Sequence, residues 1–295
     1  MKTADTALAA PHSFVADLVA LAKIRLNALV VVTTAGGYYM ASPPHVDALV
    51  MLATCLGTLL VASGASAFNQ VYERDLDALM DRTRERPVAD GRMSVGQANT
   101  LAAGFTIAGL VLLWLGANAA AALVAFATLL CYMAIYTPLK RRTSLATIVG
   151  AVPGALPPII GWAAARGTVD VVAWSLFLIM FVWQLPHFLA IAWMYRDDYA
   201  KAGLPILTVL DTDGRMTGMQ MTLWAATLVP ASVLPFVVHL TSRTYAVGAI
   251  VLGVALAGLA LNFLWSRTRA NARWLFLGSI TYLPLLWLLM AIGRP

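Results

Sequence analysis

Charged residues are scarce in this sequence. Only 12% of its 295 residues are Asp, Glu, Lys or Arg, whereas about a quarter is typical of a soluble globular domain. The chain is also 60% hydrophobic. A surface with so few charges suits a lipid bilayer better than water, so the composition excludes a soluble domain, a disordered chain, a collagen and a coiled coil.

Cysteine is nearly absent as well. Cys55 and Cys131 are the only two, and both lie in apolar stretches without the spacing of a zinc or redox motif. We therefore predict two small buried hydrophobic side chains. The N-terminus also lacks the unbroken apolar core of a signal peptide, and residues 1–25 are predicted to form a cytoplasmic, interfacial segment that leads into the first membrane span.

Long charge-free runs, by contrast, are plentiful. A transmembrane helix needs about 20 mostly apolar residues. The sequence predicts an all-α fold, a polytopic membrane bundle of about nine transmembrane helices in a single domain spanning 1–295. The predicted spans are 26–40, 48–68, 100–115, 119–136, 146–165, 171–193, 216–240, 245–265 and 274–292.

The charges that are present lie mostly on one side of the predicted bundle. With the N-terminus in the cytoplasm, only Arg166, Arg243 and Arg294 of the 20 basic residues fall on the opposite side. The positive-inside rule supports that orientation. Of the 14 acidic residues, only Asp47 and Asp170 fall outside. Acidic residues contribute little to topology, so their concentration in two cytoplasmic loops, 69–92 and 195–215, indicates function.

The first of these loops continues the second span. At 100° per residue, Asn69, Glu73, Asp77 and Asp81 fall along one helical stripe at the membrane surface. Oxygen ligands without His or Cys favour a hard cation such as Mg²⁺, which typically takes one or two carboxylates and phosphate oxygens. A solvated helix neutralised by its own arginines is the alternative. If the stripe binds metal at a surface, Asp77→Ala is expected to abolish turnover without unfolding the protein.

Basic residues accompany the stripe and could hold a diphosphate. Arginine is suited to binding phosphate oxygens in pairs. A second basic cluster follows the fourth span, where it could equally be an orientation signal. The candidate diphosphate ligands are Arg74, Arg82, Arg86, Lys140, Arg141 and Arg142.

The second polar loop follows the sixth span. His187 and Asp198 are eleven residues apart, which places them on one face of an uninterrupted helix, with Tyr195 nearby on that face. A histidine inside a membrane segment is a functional candidate, although a hydrogen bond to a neighbouring backbone would also explain it. Asp198 is either a second metal ligand or part of an ordinary acidic helix end.

These motifs together resemble those of the UbiA-type intramembrane prenyltransferases. Within that superfamily the resemblance is closer to the heme-farnesylating branch, the protoheme IX farnesyltransferases or heme O synthases, and it runs from about residue 23 to residue 205. Two positions depart from the superfamily pattern: Glu73 stands where Asp is common, and Lys201 stands four residues after Asp197 where a second Asp is common. The segments concerned are NQVYERDLDALMDRTRERP, YTPLKRRT, PGALPPIIGW, WQLPHFLAIAW and DDYAKAGLPIL.

The resemblance implies a cytoplasmic-side active-site cavity in a bacterial inner membrane protein. It implies transfer of a farnesyl group from farnesyl diphosphate to a vinyl group of heme B, with water adding as a hydroxyl. Mg²⁺ is the implied cofactor, and proteins of terminal oxidase assembly are implied partners. No nucleic acid partner is expected. The implied catalytic residues are Asn69, Glu73, Asp77, His187 and Asp198; the metal ligands are Asn69, Glu73, Asp77, Asp81 and Asp198; the heme contacts are His187 and Tyr195.

Two other functions fit parts of the pattern. A UbiA-type enzyme that prenylates an aromatic acid or quinone precursor would use the same metal and diphosphate chemistry. A transporter is also compatible with nine spans and proline-rich helices. Transporters, however, commonly place charged residues near the bilayer midplane, and the predicted spans contain no Asp, Glu, Lys or Arg.

Overall fold

The computed structural model describes residues 13–42 and 45–294, which fold into helices without any β-strand. Part of the predicted N-terminal segment, residues 1–12, lies outside the described residues. The elements are α1 (Phe14–Ala22), α2 (Ile24–Ala41), α3 (Ala48–Tyr72), α4 (Arg74–Asp77), α5 (Val95–Gly116), α6 (Ala119–Leu130), a π-helical turn (Cys131–Tyr136), α7 (Thr137–Leu139), α8 (Ala146–Ala155), α9 (Pro157–Arg166), α10 (Val171–Met194), α11 (Arg196–Lys201), α12 (Leu207–Leu210), α13 (Arg215–Val237), α14 (Arg243–Ser266) and α15 (Arg269–Ile292).

The predicted membrane bundle is confirmed. The first predicted span, 26–40, forms α2, which has 18 residues but is less apolar than the other spans. Eight helical segments among the described residues are long and apolar enough to cross a membrane: Ala48–Tyr72, Val95–Gly116, Ala119–Leu139, Ala146–Arg166, Val171–Met194, Arg215–Val237, Arg243–Ser266 and Arg269–Ile292.

Two spans form the centre of the bundle. About two thirds of Val171–Met194 (67%) and of Ala146–Arg166 (61%) is buried, against at most 33% of any other span. Most of the remaining apolar surface is therefore available to lipid. Cys55 and Cys131 are free thiols that are only partly buried, because both lie on these outer spans rather than in the core.

Close packing of α2 against α9 depends on one glycine from each helix, Gly37 and Gly161. A Cβ on Gly161 would lie 1.9 Å from the Thr34 carbonyl oxygen, and one on Gly37 would lie 2.1 Å from the Pro158 carbonyl oxygen. Helices α2 and α9 therefore approach backbone to backbone. Small residues at such contacts are common where helices pack in membranes.

Helix caps account for the two acidic residues on the far side of the bundle. The Asp47 carboxylate accepts hydrogen bonds from two backbone N–H groups at the start of α3, and Asp170 does the same at the start of α10. Such N-caps satisfy donors that a helix leaves unpaired. On that side, Arg166 and Arg294 both donate to backbone carbonyls at the end of α2. Both acidic residues on this side of the bundle therefore have a structural role.

Candidate active site

The acidic stripe begins where α3 ends. Asn69 lies in the last turn of α3, Glu73 follows as its C-cap, and Asp77 ends the one-turn helix α4. All three are buried, and Asp77 is 0% exposed. The predicted spacing of the polar stripe is therefore preserved as far as Asp77, but its side chains are buried in the protein rather than exposed at the membrane surface.

The predicted continuation of this helix to Asp81 is wrong. After Asp77 the chain leaves the helix in a series of turns, and the Thr83 hydroxyl donates to the Asp77 carbonyl at 3.0 Å. These turns carry Asp81 to the exposed surface. There its carboxylate lies 2.6 Å from the Lys201 ammonium and 3.5 Å from Arg84. The hydrogen bond from Lys201 holds the pKa of Asp81 below its usual value.

Each of the two buried carboxylates, Asp77 and Glu73, pairs with a basic side chain. Arg86 Nη1 lies 2.8 and 2.7 Å from the two carboxylate oxygens of Asp77. Lys140 Nζ lies 3.1 Å from both carboxylate oxygens of Glu73. Burial lowers the pKa of Lys140, but Tyr136 and Glu73 outweigh that effect and raise it overall. The Arg86 pair joins the loop after α4 back to the end of α4, and the Lys140 pair joins the end of α7 to the end of α3.

A third cation was missed by the sequence reasoning. Lys23 joins α1 to α2 in a left-handed conformation, with φ of 47°, which non-glycine residues seldom adopt. Burial lowers the pKa of Lys23 to about 7; Arg86 adds to this effect, while Glu73 and Asp77 oppose it. Lys23 thus belongs to the same electrostatic cluster. Its only sequence signal is its position just before the first span.

Two tyrosines were also missed. Tyr132 and Tyr136 lie in the π-helical turn, with ring centroids 5.4 Å apart, and both interact electrostatically with Glu73. The backbone N–H of Thr137 donates to Tyr132, five residues earlier, and Pro138 cannot donate within the helix at all. π-Helical turns occur frequently at functional sites. The motif YTP was a partial signal, but the π turn itself has no simple sequence pattern.

The second polar loop lies beside the first, but its predicted helix is interrupted. Helix α10 ends at Met194, Tyr195 adopts a non-helical conformation, and α11 begins at Arg196. The uninterrupted helix that would place His187 and Asp198 on one face is therefore not formed. Asp198 instead pairs with Lys201 at 3.7 Å.

Aromatic rings connect this loop to the basic residues. The Arg82 guanidinium lies 5.6 Å from the Tyr195 ring centroid and 5.9 Å from that of Tyr199. Arg82 also donates to the Tyr199 hydroxyl at 3.4 Å. Cations are attracted to aromatic faces at such distances. Arg82 is therefore held between the two loops, next to the Asp81 and Lys201 pair.

The other predicted diphosphate ligands point away from the buried carboxylates. Arg74 is exposed and pairs with its neighbour Asp75. Arg141 donates to the Tyr72 carbonyl and lies 5.0 Å from the Tyr72 ring centroid. Arg142 is exposed. The structure thus brings Lys140 and Arg86 together with the acidic stripe, and leaves these three arginines at the surface around it.

His187 lies within the bundle rather than in the acidic cluster. Its Nδ1 is 2.7 Å from the Ser279 hydroxyl, and its ring stacks on Trp183 with centroids 4.8 Å apart. Seven residues separate it from the end of α10 at Met194, which corresponds to about 10 Å along a helix. His187 is therefore below the loops that carry the ion pairs.

Comparison with known proteins agrees with this geometry. The model of the UbiA prenyltransferase family matches residues 30–289. The chain belongs to the UbiA prenyltransferase family. Membership of a prenyltransferase family removes the transporter interpretation. The protein is an integral membrane enzyme of the prenyltransferase class.

Curated relatives resemble the chain over nearly its whole length. A protoheme IX farnesyltransferase of Solibacter usitatus is 42% identical over 95% of this chain and 99% of its own. One from an Anaeromyxobacter species is 43% identical over 98% of this chain and 97% of its own.

Solved structures of UbiA-family proteins share the fold. A digeranylgeranylglyceryl phosphate synthase structure gives a TM-score of 0.78 at 16% identity and covers 95% of this chain and 98% of its own. A UbiA homologue from Archaeoglobus fulgidus, bound to GPP and Mg²⁺, gives a TM-score of 0.67 at 14% identity, covering 93% of this chain and 99% of its own.

Proposed function

We propose that this enzyme transfers a farnesyl group from farnesyl diphosphate to a vinyl group of heme B, which yields the hydroxyethylfarnesyl heme O. The relatives named protoheme IX farnesyltransferase support the choice of donor and acceptor. The observation that carries the chemistry is the pair of buried carboxylates, Glu73 and Asp77, each held by a cation at the end of a membrane span.

The residues at this site fit Mg²⁺. Asn69, Glu73 and Asp77 offer one amide and two carboxylates, all buried. In the described part of the chain, no three His, Cys, Asp or Glu side chains lie together as a ligand group. Mg²⁺ commonly uses one or two carboxylates and completes its ligands with water and substrate phosphates. When bound, the ion would neutralise charge on the departing diphosphate. Asp81 and Asp198 remain predicted ligands that would have to leave Lys201.

Three cations are available to bind the diphosphate. Lys23, Arg86 and Lys140 surround the two buried carboxylates, and Lys23, whose pKa is lowered to about 7, is fully charged only below neutral pH. In the substrate complex, Arg86 and Lys140 would exchange carboxylate oxygens for phosphate oxygens, which bind the same donors. Arg82, which lies in the same loop as Arg86, would close the site against the neighbouring loop. Arg74, Arg141 and Arg142 remain predicted to attract the anion from the surface.

The proposed reaction uses these side chains as follows. The carbon–oxygen bond of the farnesyl diphosphate breaks, and its electron pair leaves with the diphosphate, whose charge Lys23, Arg86 and Lys140 stabilise. The vinyl π electrons of heme B attack the allylic cation and form a carbon–carbon bond. Water adds to the resulting cation and loses a proton, which leaves the hydroxyl group. Enclosure within the bundle would keep water from the allylic cation before the vinyl group reaches it.

The proposed location is the bacterial cytoplasmic membrane, with the N-terminus and the acidic cluster on the cytoplasmic side. The distribution of basic residues supports this orientation. Association with terminal oxidase assembly proteins is part of the same proposal, because they would receive the product.

A competition experiment tests the proposed acceptor. Purified protein is incubated with farnesyl diphosphate, Mg²⁺, heme B and 4-hydroxybenzoate, and the products are separated by mass. We expect a farnesylated, hydrated porphyrin and unmodified 4-hydroxybenzoate. Prenylation of the aromatic acid with unmodified heme would instead assign the enzyme to the aromatic-acceptor branch.

A further inference from the structure

A hydrogen-bonded network joins α10 to α15 around His187. The His187 Nδ1 lies 2.7 Å from the Ser279 Oγ. The same Oγ lies 2.6 Å from the Phe276 carbonyl oxygen, to which it donates. The Trp183 indole N–H donates to the Ser279 carbonyl at 2.9 Å. Ser279 is 0% exposed, so water does not compete for these bonds.

Proton accounting fixes the tautomer of His187. A serine hydroxyl has one proton to donate. Two oxygens 2.6 Å apart would repel without a proton between them, so the Ser279 proton lies toward the Phe276 carbonyl. Ser279 must then accept from His187, and the imidazole proton is on Nδ1. In the neutral ring, Nε2 consequently has a free lone pair.

That lone pair is accessible. Within residues 13–42 and 45–294, His187 Nε2 has no hydrogen-bond partner. Neighbouring atoms do not fully enclose it. Aromatic rings surround the imidazole: Trp183 at 4.8 Å, Phe276 at 5.1 Å and Phe188 at 5.5 Å between centroids. The site therefore combines an aromatic wall with one open nitrogen donor.

We propose that His187 binds the iron of the heme acceptor through Nε2, and that Ser279 is the positioning residue that holds the ring in this tautomer. The inference rests on the proposed function, which supplies heme as the acceptor. Neutral imidazole is a common metal ligand, and a ligating histidine almost always donates its other N–H to a second group. Ser279 is that second group.

Heme spectroscopy tests this without farnesyl transfer. Ferric heme B is titrated into purified full-length protein, and the Soret band and the electron paramagnetic resonance spectrum are recorded. We expect the wild type to show imidazole ligation. His187→Ala should lose that signature, and added imidazole should restore it. Ser279→Ala should weaken heme binding by about 10 to 100-fold, the range for partners of a metal-ligating histidine, and Ser279→Thr, which keeps the hydroxyl, should restore most of it.

Thr281→Ala is the matched control, because Thr281 is an exposed hydroxyl on the same helix that donates to its own backbone at Leu277. A His187→Ala spectrum identical to wild type would overturn the ligation, and Ser279→Ala behaving like Thr281→Ala would overturn the positioning role. If wild-type protein farnesylates heme while the His187→Ala spectrum is unchanged, only this inference fails. If the wild type binds no heme, the proposed acceptor fails with it.

Discussion

Separating the structural and catalytic contributions of Asp77 requires three variants. Asp77 is 1% exposed at its side chain and pairs with Arg86, which is 21% exposed. Removing one partner of a buried pair costs about 3 to 5 kcal/mol, and the partial exposure of Arg86 places Asp77→Asn near the lower end, about 3 kcal/mol. The premise that Asp77 lies at a surface is wrong, because the residue is buried, so we expect Asp77→Asn to lose stability as well as turnover.

The double variant Asp77→Asn/Arg86→Gln distinguishes the two roles. Removing both charges leaves no unpaired ion, so we expect it to recover most of the thermal stability that either single variant loses in detergent. If Asp77 also binds Mg²⁺, the double variant should be stable but inactive. Recovery of farnesyl transfer together with stability would refute the assignment of Asp77 as a metal ligand.

Three further outcomes are expected. Lys140→Met should raise the KM for farnesyl diphosphate by about tenfold or more, since a charged hydrogen bond contributes about 1.5 to 3 kcal/mol. Steady-state kinetics measures this, with the exposed Arg273→Met as control. Equal KM values for the two variants would contradict the prediction. Asp81→Asn should keep more turnover than Asp77→Asn in the same assay, because Asp81 lies outside the buried cluster; equal loss would restore it to the metal site. Gly161→Ala should destabilise the protein by about 1 to 3 kcal/mol. Gly104→Ala, whose added methyl group would have no neighbouring atom within 4 Å, should not. Equal thermal unfolding midpoints for the two variants would show that the contact between α2 and α9 tolerates the extra methyl group.

Local periodicity was sufficient to predict the first part of the site. Asn69, Glu73 and Asp77 are four residues apart, and both helical segments preserve that spacing. The position of Asp81 could not be predicted in the same way. Turns follow Asp77, and Arg86 then pairs with the Asp77 carboxylate. That contact is tertiary, and helix periodicity does not encode it.

The residues missed by the sequence depend on helix order and backbone irregularity. Tyr136 reaches the cluster through a π-helical turn, which changes the direction of every side chain after it. Ser279 reaches His187 across 92 residues, so the contact exists only once α10 and α15 are adjacent. The membrane spans themselves were predictable, because their length and lack of charge follow from the bilayer.

We propose above all that Glu73 and Asp77 hold Mg²⁺ for the bound diphosphate. Calorimetric titration of the purified enzyme with farnesyl diphosphate, without acceptor, tests it most directly when repeated with Mg²⁺ and with a chelator. We expect the wild type to bind farnesyl diphosphate tightly only when Mg²⁺ is present. Glu73→Gln should lose that dependence on Mg²⁺. Equal affinity with Mg²⁺ and with the chelator would contradict it.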